Sequence, residues 1–109
     1  MQHGAYFEVE LDNGSGLRKT IRFEKERGVE AFVKENLSPG VELYISCIKG
    51  KFDCGTLIFD VLDLNLIDIR IHEHRGFICR GIALSQALDA LKYWLPMQEM
   101  PPMSKWEDE

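Results

Sequence analysis

Apolar and polar residues alternate from position 5 onward. Ala5, Phe7, Val9 and Leu11 share one parity, while Tyr6, Glu8 and Glu10 take the other. A period of two is the repeat of a strand with one covered face and one wet face. Asp12-Asn13-Gly14-Ser15-Gly16 follows, and its Asn-Gly pair marks a tight hairpin turn. Leu17 to Phe23 then reads as the returning strand, with Ile21 and Phe23 inward.

The period changes after the strand. Val29, Phe32, Val33 and Leu37 recur over a background of Glu30, Lys34 and Glu35, which predicts a short amphipathic helix stopped by Ser38-Pro39-Gly40. Val41 to Ile48 reads as a strand and Lys49-Gly50-Lys51 as a turn; Thr56 to Leu62 and Leu64 to His72 read as two further strands about a turn at Asp63. In the second of these, Ile67, Ile69 and Ile71 face inward, and Asp68, Arg70 and His72 face water. His74-Arg75-Gly76 turns the chain into a last short strand, Phe77 to Arg80. Leu84, Leu88, Leu91 and Leu95 then make a helical stripe, with Ser85 as the expected N-cap and Pro96 as the expected stop.

The order is β-β-α-β-β-β-β-α. Short turns between successive strands favour an antiparallel sheet, so the expectation is an α+β fold with about five to six strands and two helices on one face. Residues 1–109 are the length of one domain. A composition 45% hydrophobic excludes a disordered chain.

Charge and cysteines narrow the function. The net charge of −5 disfavours binding to phosphate backbones, so nucleic acid is not an expected partner, whereas a basic protein would be attracted. The apolar run from Thr56 to Ile71 is interrupted by Asp60, Asp63, Asn65, Asp68 and Arg70, so no membrane span is expected. Met1-Gln2-His3-Gly4 has neither the basic nor the apolar region of a signal peptide, and a cytoplasmic location is expected. Cys47, Cys54 and Cys79 form no Cys-x-x-Cys pair and read as reduced, at least partly buried thiols.

Candidate chemistry is sparse. His72 and His74 would share a face of a strand, but zinc needs three or four ligands and no clear third donor lies nearby, so neither a metal nor a cofactor is expected. The serines lack a Gly-x-Ser-x-Gly setting, and Cys79 with His72 would form a dyad only if the fold joined them. No catalytic residue is expected. Asp60, Asp63 and Asp68 read as the wet face of a sheet, and Arg18, Lys19, Arg22, Lys25 and Arg27 are interleaved with Glu24, Glu26 and Glu30 into a surface of largely cancelled charge.

The last quarter of the chain is the most distinctive. A striped helix is followed by Pro101-Pro102, which hold the chain extended, and by Trp106, which can plug back into the core as a clamp. Ala87-Leu88, Leu91, Trp94, Pro101-Pro102, Trp106 and Glu107 together resemble the ending of the Imm1 family of bacterial immunity proteins. Pro96 departs from that pattern by lengthening the loop after the helix. The resemblance implies a non-catalytic immunity protein that binds a cognate toxin domain, commonly a nuclease or nucleic-acid deaminase. It would act as a monomer or weak homodimer whose acidic face occupies the toxin's basic groove. The candidate contacts are Asp60, Asp63, Asp68 and Glu73, with Tyr44 and Tyr93 as aromatic anchors. The alternatives are a small metal-binding or enzymatic domain using His72 and His74, and a structural or regulatory subunit that oligomerises through a sheet edge.

Overall fold

The computed structural model describes residues 5–73, 75–103 and 105–109. Its elements are β1 (Tyr6–Asp12), β2 (Arg18–Phe23), α1 (Glu26–Asn36), β3 (Glu42–Lys49), β4 (Phe52–Asp63), β5 (Leu66–His72), β6 (Gly76–Ile82), α2 (Leu84–Met97) and β7 (Glu107–Asp108). They build one seven-stranded sheet in the order β2-β1-β3-β4-β5-β6-β7, antiparallel throughout.

The alternation fixes which side of the sheet is covered. Phe7, Val9 and Leu11 join Leu43, Ile45, Leu57, Phe59, Val61, Ile67, Ile69 and Ile71 in one buried cluster with Val29 and Val33 of α1 and Leu91, Trp94 and Leu95 of α2. Helix α1 packs on β1, β2 and α2, and α2 packs on β4 and β5. Both helices therefore lie on one face, and the residues of opposite parity form an open face.

The hairpin at Asn13-Gly14 forms as the sequence predicts. Asp12 accepts from the Gly14 N–H at 2.9 Å, and Asn13 Oδ1 accepts from the Ser15 and Leu17 N–H groups at 3.0 and 3.2 Å. Strand β4 begins four residues earlier than the alternation suggests, at Phe52, because Gly50-Lys51 alone make the turn and Lys49 pairs with Phe52. The turn expected at Asp63 falls on Leu64-Asn65, with Asp63 paired to Leu66. The expected last strand likewise grows at both ends to Gly76–Ile82.

Helix α2 corrects two expectations. Its N-cap is Ala83, two residues before the expected Ser85, because the Gln86 side chain reaches back to accept the Ala83 N–H at 3.0 Å. Pro96 lies inside the last turn instead of ending the helix before it. Leu95, only 1% exposed, is held helical by its packing, and the helix ends at Gln98 in the left-handed region (φ 54°). There the Gln98 N–H donates to the Trp94 carbonyl at 2.7 Å and its side-chain Nε2 to that of Leu95 at 2.6 Å. The buried stripe is Ala87, Ala90, Leu91, Trp94 and Leu95, with Leu84 and Leu88 at its half-buried margin.

The segment after α2 supplies a strand that the sequence reading lacks. Glu107 pairs with Ile78 and Asp108 with Phe77, so the acidic ending extends the sheet by one short strand. Trp106 acts as the expected clamp: half-buried against the core, it donates Nε1–H to the Pro101 carbonyl at 2.9 Å. Trp106→Phe should lower stability by about 0.5–1.5 kcal/mol, the net worth of one hydrogen bond, because Pro101 keeps the Met103 N–H as a second donor. Urea unfolding checks this through a lower midpoint at unchanged slope.

Candidate functional site

The open face carries an unusual row of charge. Successive cross-strand pairs place Asp12 opposite Glu42, Glu42 opposite Asp60, and Asp60 opposite Asp68. The row thus crosses β1, β3, β4 and β5 with a carboxylate at every step. Side chains directly opposite each other in adjacent strands stand about 4.5–5.5 Å apart at Cβ, and like charges so placed repel. The row starts at the end of β1 and the beginning of β3.

Cations relieve the row only in part. Arg18, opposite Asp12 on β2, lies 3.2 Å from Asp12 and 3.6 Å from Glu10. The Gly14 N–H chiefly holds the Asp12 carboxyl below its ordinary value, opposed by desolvation and helped by Arg18. Arg70 approaches Asp60 at 3.6 Å. Asp68 is 9% exposed and is committed to the fold: its Oδ1 accepts the Gly81 N–H at 2.9 Å and ties down a register shift between β5 and β6. Gly81 sits at φ 67° with Leu66 only 3.3 Å from where a Cβ would stand, so a glycine is needed there. Glu42 has no cationic partner among the described residues.

The next row is amphipathic. Glu10, Tyr44, Ile58, Arg70 and Ile78 follow one another across the strands. Ile58 and Ile78, 4% and 1% exposed, stand outside the main core and give this face a small apolar floor. Tyr44 donates its hydroxyl to Glu42 at 3.3 Å. Burial first, and then the Glu42 charge, holds that hydroxyl above its ordinary value, so it stays a donor at neutral pH.

The six residues expected to form an interface therefore separate. Tyr44 and Asp60 lie together at the middle of the open face, and Asp68 adjoins them but is covered. Asp63 is exposed at the end of β4, before the turn, where its Oδ1 accepts the Leu64 N–H at 2.8 Å. Glu73 is exposed at the other end of β5, with its Cγ 3.2 Å from the position a Cβ on Gly55 would take. Tyr93 is exposed on α2, on the opposite layer, beside Pro101 and Pro102. Sequence reasoning missed Asp12 and Glu42. Both have the parity of the wet face, but only the register shows that they stand in line with Asp60.

His72 is joined to the last strand. Glu109 accepts from Arg70 Nε at 2.7 Å and meets His72 Nε2 at 2.7 Å. Cys79 takes the helix-side parity opposite Ile69, while His72 lies on the open face, so the fold does not join them as a dyad. His74, the other residue of the candidate metal pair, lies outside the described residues. Among the described residues no group of three His, Cys, Asp or Glu side chains is placed to hold a metal ion. No helix among them is long and apolar enough to cross a membrane.

The Glu109 contacts make a pH prediction. The hydrogen bond to His72 first, then that to Arg70, lowers the Glu109 carboxyl below its ordinary value of 4.5, with burial opposing. A depressed carboxyl stabilises the fold above its unfolded value and loses that contribution as pH falls through the lower folded value. The hold of β7 on β5 and β6 should therefore weaken below about pH 4.5. Hydrogen-exchange protection factors, corrected for the intrinsic pH dependence of amide exchange, should fall between pH 6 and pH 3 more at Ile78 and Glu109 than at Ile45 in the sheet centre.

The chain matches no protein-family model, no curated protein and no solved structure at a significant level. The fold and the face define its class: an α+β domain presenting a broad, partly neutralised acidic sheet surface.

Proposed function

We propose that this domain binds and neutralises a basic protein partner through its open sheet face, and that the partner is a cognate bacterial toxin domain acting on nucleic acid. The observation that carries the reading is the in-register row Asp12, Glu42, Asp60 and Asp68. Asp12 and Asp68 also serve the fold, but Glu42 stands between two carboxylates with no cation of its own among the described residues, and a cationic partner would gain acceptors at strand spacing from Asp12, Glu42 and Asp60. A groove that holds a phosphate backbone is lined with Lys and Arg, and regularly spaced carboxylates can occupy it in place of phosphates. Long-range attraction would speed encounter, and Tyr44 with the Ile58 floor would supply contact area at the centre. The resemblance of the last quarter of the chain to immunity proteins supports a toxin as the partner.

In this reading the domain performs no chemistry. It blocks access, and its residues act by position and charge: Glu42 and Asp60 accept hydrogen bonds from the partner's cations, while Asp68 and Arg70 keep the strands in register. The experiment is co-expression with the toxin domain encoded beside this chain's gene. Rescue of growth, with co-purification of the two proteins and binding that weakens steeply as salt rises, is the expected result. Failure to rescue together with failure to co-purify overturns the reading.

A further inference from the structure

The bulge in the β3–β4 hairpin sets two cysteines against each other. Ser46 pairs with Thr56 and Ile48 with Asp53, so Cys47 has both Cys54 and Gly55 opposite it. The two thiols share the helix side of the sheet: Cys47 is part of the core, and Cys54 packs against that core. Residues opposite each other in an antiparallel pair have Cα atoms about 4.5–5.5 Å apart, inside the roughly 4.4–6.8 Å range that a disulfide spans. Gly55, at φ 132°, gives the bulged strand the conformation that brings both residues round to Cys47. Both thiols are free in this structure. Cys79 lies on β6, two strands from β4, and is out of reach.

We propose that Cys47 and Cys54 are a peroxide-sensitive dithiol that closes reversibly into a disulfide, with Cys54 as the attacking thiol and Cys47 as the resolving one. The assignment of roles follows from access. Cys54 is partly exposed and lines a groove of about 600 Å³ beside Gly55, His72 and Glu73, whereas Cys47 is 0% exposed. Burial also pushes the Cys47 thiol up, which keeps it protonated and unreactive towards oxidant from solution.

The step balances with hydrogen peroxide as oxidant. The Cys54 sulfur attacks one peroxide oxygen, the O–O bond breaks, and the departing hydroxide leaves as water with the thiol proton, giving a sulfenic acid. The Cys47 sulfur then displaces that oxygen; the S–S bond forms, and a second water carries away the Cys47 proton. Two thiols are oxidised and one peroxide is reduced. The bridge closes a short loop that the hairpin already closes, so it adds little stability. Its effect is local, fixing the bulge on which Glu73 rests.

The test uses the full chain, reduced, desalted and treated with one equivalent of hydrogen peroxide, then alkylated and mapped by mass spectrometry. The expected product is a monomer that is about 2 Da lighter than the reduced chain before alkylation, with Cys47 linked to Cys54, Cys79 alone alkylated afterwards, and full reversal by dithiothreitol. In Cys47→Ser, one equivalent should leave Cys54 as sulfenic acid and a second equivalent should carry it to sulfinic acid, and in Cys54→Ser, Cys47 should react at least ~10-fold more slowly than Cys54 does in the parent, because it needs local opening. Sulfinic acid on Cys54 beside reduced Cys47 in the parent protein would overturn the proposal, as would an intermolecular dimer, a link to Cys79, or no reaction.

Discussion

Trp94→Ala should unfold much of this domain's stability, by about 3–5 kcal/mol, because it removes the largest wholly buried side chain and leaves a cavity between α2 and the sheet. For a chain of this size that corresponds to a melting midpoint lowered by well over about 10 °C. The companion substitution separates packing from hydrogen bonding. Among the described residues the Trp94 Nε1–H has no acceptor, although the side chain is 0% exposed. An unpaired buried donor costs about 1–3 kcal/mol, so Trp94→Phe loses ring volume but also removes that cost. Trp94→Phe should therefore fall within about 1.5 kcal/mol of the parent. A loss as large as that of alanine would mean that the indole N–H is satisfied by an ordered water.

Reversing charge at Glu42 should separate stability from binding. Glu42 faces Asp12 on one side and Asp60 on the other, so Glu42→Lys exchanges two repulsions for two attractions. Cross-strand charge pairs are worth about 0.2–1 kcal/mol each, and the variant should be as stable as the parent or more so. The bond from the Tyr44 hydroxyl is lost, but that group is half-exposed and water replaces the acceptor. If the open face meets a cationic partner, the same variant should bind it at least ~100-fold more weakly, about 2.7 kcal/mol, with much of the change in the association rate at low salt. Denaturant unfolding and surface plasmon resonance read the two effects separately. A variant that loses stability and binding in proportion would show that Glu42 serves the fold.

Most of the architecture was legible because one face of the sheet is buried and the other is wet. Ile67, Ile69 and Ile71 against Asp68, Arg70 and His72 settle the faces of β5 from the sequence alone. What escaped depends on partners that are distant in sequence. Glu107-Asp108 has no apolar alternation and becomes a strand only because β6 offers an edge, with Arg75 and Arg80 beside it to receive the charges. Ser85 was the better cap by residue type, yet Gln86 performs that task from inside the first turn. The site shows the same limit. Asp60 and Tyr44 stood out as polar residues on an apolar strand system, but Asp12 belongs to a turn and Glu42 to a strand start. Their alignment with Asp60 comes from two separate registers. Tyr93 was grouped with them because nothing in the sequence tells which layer an exposed aromatic joins.

The strand order also dictates how the chain can assemble. Four of the six neighbouring pairings join strands linked by short turns, β1 with β2 and the run from β3 to β6, and of the two exceptions β6 with β7 spans α2 and residues 98–106 at the sheet edge. The exception that welds the two halves is β1 against β3, reached only after the β2 hairpin and α1 have been laid down. Closing that larger loop costs entropy before its contacts repay it. Ile45→Val, in the middle of that seam, should destabilise by about 0.5–1.5 kcal/mol and slow refolding. Removing the Glu109 contacts should leave the refolding rate alone and only hasten unfolding. A stopped-flow comparison of the two would show a protein that folds as two sheets stitched along β1 and β3.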